Sequence, residues 1–300
     1  MKGKRWAVTL IIFLVMAALI GALIVFVHDP VLIRPSGLIA AQQRDLLYFA
    51  TGVMLAVALP VFVLTAYIAR KYRATNRRAR YTPNEDGNRS LELVWWGIPI
   101  AIVGLLSVVA WRTSHSLDPF RPLDDTAPYR VQVIALEWKW LFIYPDYKTA
   151  SVNELAIPVG QPVEFSIASD APMNSFWIPE LGGQIYAMSG MSTQLHLQAN
   201  KPGVFRGVSS NLSGDGFSDM KFDVRAMPTS DLAQWQYDAT TSPLRLAIDN
   251  YPVLAMPATV SSPLRYRLDT PDLYQMVIDK YSLDHSRVED NVHMKHEGAI

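Results

Sequence analysis

The chain has 300 residues, half of them apolar, with 27 basic side chains balancing 27 acidic ones, six histidines and no cysteine. That absence excludes disulfides, thiolate-bound metal clusters, a cysteine nucleophile and a thioether-linked lipid. Charged residues make up only 18%, below the roughly 25% of ordinary soluble domains, so the composition leans toward a membrane protein and excludes disorder across the whole chain.

The neutral total hides an asymmetry. Residues 1–112 carry 13 basic and 5 acidic side chains, whereas residues 113–300 carry 14 and 22. A nucleic-acid binder is expected to show a basic patch on its folded domain, and here the long C-terminal part is acidic, so no nucleic-acid partner is expected.

Three apolar runs without an Asp, Glu, Lys, Arg or His open the chain: Trp6 to Val27, Leu46 to Ala69 and Leu93 to Trp111, of 22, 24 and 19 residues. At about 1.5 Å rise per residue each can cross a hydrocarbon core of about 30 Å as a helix. Lys2, Lys4 and Arg5 precede the first run, and Arg70, Lys71, Arg73, Arg77, Arg78 and Arg80 follow the second. The excess of positive charge assigns both flanks to the cytoplasm, and the 28–45 loop and everything after Arg112 to the outside. The first run also fits a signal peptide, but its length and the lack of an A-x-A-like cleavage site near Val27 favour an uncleaved helix.

From Tyr129 the period changes to two. Val131, Val133 and Ala135, then Val163, Phe165 and Ile167, then Leu195 and Leu197, then Phe222 and Val224 alternate with more polar neighbours. Turn signals at Pro158-Val159-Gly160, Gln161-Pro162, Gly182-Gly183 and Lys201-Pro202-Gly203 separate these half-buried strands, as an antiparallel sandwich over about 129–227 requires. Beyond Pro228 one helix is predicted to open at Ser230 as N-cap, and another at Pro271 as its first position. Pro243, Pro252, Pro257 and Pro263 predict extended loops between them, and a frayed polar tail follows from Asp284.

Two membrane helices joined by a basic loop and followed by an external sandwich resemble subunit II of the haem–copper respiratory oxidases. In the cytochrome c oxidases of that family, the sandwich binds a dinuclear copper centre through an upstream His and a Cys-x-Glu-x-Cys-x-x-x-His-x-x-Met segment. Set on Gly207 to Met220, the pattern places the cysteines on Ser209 and Ser213, the Glu on Asn211, the His on Phe217 and the Met on Met220; the upstream His falls on Asn174. Hydroxyls, amides and a phenyl ring cannot replace the bridging thiolates and imidazoles such a centre needs. With Ile185 to Met191 and Ser213 to Ser218, the copper-less chain resembles subunit II of the ubiquinol oxidases of cytochrome bo type over about 32–281. It departs from that family's common lipoprotein form, since no cysteine is present to be lipidated.

This resemblance implies a membrane hairpin, with an additional N-terminal helix or signal, then an all-β cupredoxin-like sandwich and a C-terminal helical or irregular extension. The expected divisions are residues 1–27, 28–112, 113–228 and 229–300. It implies a non-catalytic subunit of a proton-pumping quinol oxidase in a bacterial inner membrane, with its sandwich in the periplasm. Haem and copper are expected in partner subunit I, which also takes the ubiquinol; this chain is expected to bind no cofactor or metal. Glu92, in Glu92-Leu93-Val94-Trp95-Trp96-Gly97-Ile98-Pro99, matches the family's acid at the mouth of a proton channel, although an acid at a helix N-terminus is also favoured by the dipole alone.

Other constellations point elsewhere with less force. Trp138 in Glu137-Trp138-Lys139-Trp140 matches the family's electron-accepting aromatic, but without copper it reads as a core or interface side chain. His285, His293 and His296 imply no fixed metal geometry, and Ser209 lacks the nucleophile-elbow surroundings that a triad with His196 and Asp215 would need. Two rival functions stay open: a stand-alone membrane-anchored binding module, and a cytochrome c oxidase subunit II served by the acidic half.

Overall fold

The structure, a computed structural model, describes residues 31–76 and 87–281 together with Met16 and Gly21. Apart from those two residues the first apolar run lies outside the described residues, as do Arg77, Arg78, Arg80 and the group His285, His293 and His296. Contacts divide the chain into two compact units, one spanning Gln43–Arg121 and the other comprising the remainder.

The first unit holds most of α1 (Leu38–Lys71) and all of α2 (Arg89–Ser116), of 34 and 28 residues, with mean hydropathy 2.3 and 2.2 in their most apolar windows. Both are long and apolar enough to span a membrane. α1 starts earlier than its apolar run, because Ala40, Ala41, Gln42 and Gln43 sustain a helix ahead of Leu46; the outer loop read as 28–45 is correspondingly shorter. Asn88 caps α2 by accepting from the backbone N–H of Ser90 at 3.0 Å and of Leu91 at 3.3 Å.

The second unit is a sandwich built from β1 (Tyr129–Leu136), β2 (Lys139–Tyr144), β3 (Thr149–Val152), β4 (Glu154–Pro158), β5 (Val163–Ser169), β6 (Asn174–Trp177), β7 (Ile185–Ala187), β8 (Thr193–Leu197), β9 (Gly203–Ser209) and β10 (Lys221–Met227). The expected all-β sandwich is borne out, but it is not purely antiparallel: β1 pairs parallel with β5 and β4 parallel with β10, because each pair is joined through intervening strands rather than by a hairpin. Between its sheets lie Trp140, Phe142, Phe165, Phe176 and Phe222, with Phe176 and Phe222 stacked at 5.3 Å. Gly207 faces Phe222 across the β9–β10 ladder, and a Cβ there would come within 2.0 Å of the ring, so only glycine lets the aromatic lie flat on the strand.

The extension differs most from expectation. α3 (Thr229–Thr240) has Pro228 rather than Ser230 as its N-cap: the Pro228 carbonyl accepts from the N–H groups of Asp231 and Leu232, and the Ser230 hydroxyl turns to Asp231 instead. The predicted loops contain β11 (Arg245–Leu246), α4 (Tyr251–Ala255) and β12 (Leu264–Leu268). Pro243 and Pro263 precede the strands and Pro252 sits in the first turn of α4, so the prolines punctuate these elements without occupying a ladder position. The last helix, α5, runs from residue 273 to the end of the described chain at 281, with Pro271 ahead of it rather than at its first position.

β12 pairs antiparallel with β3, extending one sheet to the order β11-β12-β3-β2-β1-β5-β8; the other sheet is β4-β10-β9-β6-β7. Tyr251, Leu268, Leu273, Tyr274 and Val277 then pack on Ile134, Leu136, Leu141 and Ile143, the outward side chains of β1 and β2. This is why the alternation of β1 fades after Gln132 and β2 is buried on both sides.

Candidate functional site

The positions matching copper ligands come together at one end of the sandwich. Asn174 opens β6, Ser209 closes β9, and Met220 immediately precedes β10. β6 pairs with β9, placing Phe176 opposite Ser209, and the Ser209 N–H donates to the Met220 carbonyl at 3.2 Å. Asn211 and Ser213 lie in the intervening loop, and Phe217 opens a 3-10 turn, Phe217–Asp219.

The polar atoms bind one another. The buried Ser209 hydroxyl donates to Asn174 Oδ1 at 3.0 Å, while Asn174 Nδ2 donates to the Pro172 carbonyl at 2.7 Å. Asn211 Nδ2 donates to the Met173 carbonyl at 2.7 Å, and the Ser213 hydroxyl points at Met220 Sδ, 4.0 Å away. Phe217 contributes no donor atom. A dinuclear copper centre needs bridging thiolates and imidazoles, and the hydroxyls and amides at these positions are hard donors already committed to hydrogen bonds. The residues do not fit that centre.

Trp138 closes the site. With φ of +66° it turns the chain between β1 and β2, where Leu136 pairs with Lys139. Its indole N–H donates to the Ser213 carbonyl at 3.1 Å, and its ring covers Gly216, where a Cβ would lie 2.3 Å from the nearest ring atom. The side chain matching the family's electron acceptor thus props up the loop that carries the replaced ligands.

Glu92 lies in the first turn of α2, in the other unit, and takes no part in this cluster. The Ser209 hydroxyl donates to an amide rather than to an imidazole, and His196 lies on β8 in the opposite sheet, so no hydrolytic triad assembles.

Sequence reasoning missed three polar locks that fix the extension. The Glu154 carboxylate, 1% exposed, accepts from Arg265 Nε at 2.7 Å, Arg265 Nη2 at 3.0 Å and the Trp235 indole at 3.1 Å, and Arg225 Nε lies 2.7 Å away. Burial pushes this carboxyl up, but Arg265, Trp235 and Arg225 together hold it below the ordinary value of 4.5. Lys139, also buried, donates its ammonium to the Met256 carbonyl at 2.7 Å and the Ala258 carbonyl at 3.3 Å, and burial pulls its pKa down. Asp170 accepts from Tyr251 at 2.8 Å, Lys280 at 2.7 Å and Tyr281 at 2.6 Å. The available signal was a lone charge within an apolar strand, as in Glu154-Leu155-Ala156-Ile157 and Trp138-Lys139-Trp140.

Comparison with known proteins places these features. Residues 149–227 match the family model for the cytochrome C oxidase subunit II periplasmic domain. The cytochrome bo(3) ubiquinol oxidase subunit 2 of Pseudomonas putida is 45% identical over 83% of this chain and 80% of its own length. The ubiquinol oxidase subunit 2 of Acetobacter aceti is 42% identical over 83% and 81%, and the quinol oxidase subunit 2 of Bacillus subtilis 40% identical over 75% and 71%. Among solved structures, the periplasmic domain of subunit II of cytochrome oxidase from Bradyrhizobium japonicum is 23% identical and covers 37% of this chain and 93% of that one, with a TM-score of 0.36.

Proposed function

Since this chain belongs to the quinol oxidase subunit 2 family, we propose that it is the non-catalytic subunit II of a proton-pumping terminal ubiquinol oxidase, capping and stabilising the catalytic subunit I. The observation that carries this reading is the closed Asn174, Ser209, Ser213 and Met220 cluster, whose donor chemistry does not suit the copper relay. Cytochrome c, a soluble one-electron donor, delivers to an oxidase from the outer surface and needs a relay there. Ubiquinol is dissolved in the bilayer and can give its electrons directly to the membrane-embedded subunit, so the cap can dispense with a metal. On this reading the haems, the copper and the quinol site belong to subunit I, and the sandwich lies in the periplasm above a bacterial inner membrane.

The basic residues Lys2, Lys4 and Arg5 ahead of the first apolar run, and those from Arg70 to Arg80 at the end of α1 and beyond, against a 28–45 segment with two basic and two acidic residues, support the orientation. Glu92, one turn into α2 on the cytoplasmic side, assists proton uptake into subunit I. Two measurements test the reading. Chain purified in mild detergent brings down haem-bearing companions and the preparation consumes oxygen with ubiquinol, whereas isolation without haem, or turnover with reduced cytochrome c, overturns it. Glu92→Gln lowers steady-state quinol oxidation in a pH-dependent way; unchanged turnover at every pH removes the role from this residue.

A further inference from the structure

We propose that the open outer face of the five-stranded sheet docks a carboxylate-bearing segment of another subunit of the same oxidase, with Arg206 and Lys221 as its anchoring cations. This rests on the oxidase-subunit reading above. The two sheets differ in how their outer faces end. The extension covers that of the larger sheet, whereas on the smaller one α3 packs on β4 and the adjoining β10.

The remainder of that face is laid out by register. Trp177, Val208 and Lys221 form one row across β6, β9 and β10, and Arg206 faces Asp223 in the next. Val204 is 61% exposed, Tyr186 48% and Trp177 37%. An aromatic pair and a valine beside an arginine is the composition of an interface centre rather than of a solvated sheet. Arg206 and Lys221 make no ion pair or side-chain hydrogen bond among the described residues, even though Asp223 and Asp219 stand beside them.

The same two cations line a cleft of about 460 Å³ with Asp219, Thr259, Val260 and Ser261. One wall of it is the 256–261 strap, held by Lys139 on the Met256 and Ala258 carbonyls and by Asn153 Nδ2 on the Val260 carbonyl at 3.2 Å. The wall therefore exists before any partner arrives, which reduces the ordering cost of binding. A guanidinium, an ammonium and two hydroxyls suit a carboxylate, while Val204, Val208 and Trp177 receive the apolar groups around it. Two cations among two acids, Asp219 and Asp223, are too sparse for an anionic lipid surface, which calls for a dense cluster of cations, whereas a single carboxylate needs only the pair Arg206 and Lys221.

The test uses the full chain in its membrane. Wild type retains its haem-bearing partner through a rising salt series, Arg206→Glu with Lys221→Glu loses the partner at a concentration wild type withstands, and Arg206→Gln with Lys221→Gln lies between them. The glutamine pair keeps the proposal falsifiable if charge reversal impairs folding. A photo-reactive group at position 204 crosslinks to an acidic segment of the partner. A salt profile unchanged in both double variants, or crosslinks only to lipid or to a second copy of this chain, overturns the proposal. Failure of wild type itself to retrieve haem protein overturns instead the oxidase reading on which it stands.

Discussion

The Asn174 and Ser209 end of the sandwich and the seam beneath the extension solve the same problem with opposite chemistry. Around Asn174 and Ser209 the chain is held by neutral hydrogen bonds among short side chains. At the seam it is held by a buried carboxylate between two arginines and by a buried ammonium among carbonyls. Neutral partners can be removed at the cost of one bond, whereas a buried charge that loses its partner keeps its full desolvation penalty. The two regions should therefore differ sharply in tolerance.

The largest effect is expected where Arg265 meets Glu154. Arg265→Ala leaves the buried Glu154 carboxylate without its two-pronged partner and should destabilise the chain by about 3 kcal/mol, with earlier proteolysis of the 229–281 region. Thermal unfolding and limited digestion of the detergent-purified chain measure it; a loss comparable to that at Ser209 would erase the contrast. The same carboxylate predicts a pH dependence. Its folded pKa is depressed, so its contribution is present above the ordinary glutamate value of 4.5 and is lost as pH falls through the folded value. Extension release in digestion assays should therefore set in below about 4.5 in wild type and vanish as a pH effect in Glu154→Gln.

A middle effect is expected at Gly216. Gly216→Ala drives a methyl into the Trp138 ring and should cost about 1–3 kcal/mol, with a shift of Trp138 fluorescence as the indole leaves the Ser213 carbonyl. The smallest belongs to Ser209→Ala, about 1 kcal/mol, because Asn174 keeps its bond to Pro172. Unfolding midpoints of the two variants, compared at one pH, rank them.

Legibility followed the range of the interaction. The two long helices were readable because an apolar run of bilayer length is a local property, and the mismatch with the copper-ligand pattern because metal affinity depends on the identity of the donor atom at each position. Strands β1, β5, β8 and β10 showed through wherever one face is buried and the other is not. β2 escaped because both its faces are covered, and β11 and β12 because prolines around short strands look like loop until β3 supplies the pairing edge. Ser230 looked like a cap, but the Pro228 carbonyl takes the first helical donors.

By itself the sequence determined the membrane segments, the change of period at Tyr129 and the unsuitability of Asn174, Ser209, Asn211, Ser213 and Phe217 for a copper pair, each of which depends on side-chain type along the chain. Only the tertiary structure decided that Trp138 and Gly216 close the 209–220 loop, and that Glu154, Lys139 and Asp170 tie residues 229–281 to the sandwich. Those outcomes join residues up to 119 positions apart, as Lys139 and Ala258 show, and the energy of burying a charge is fixed by the partners that folding brings to it, which no local pattern contains.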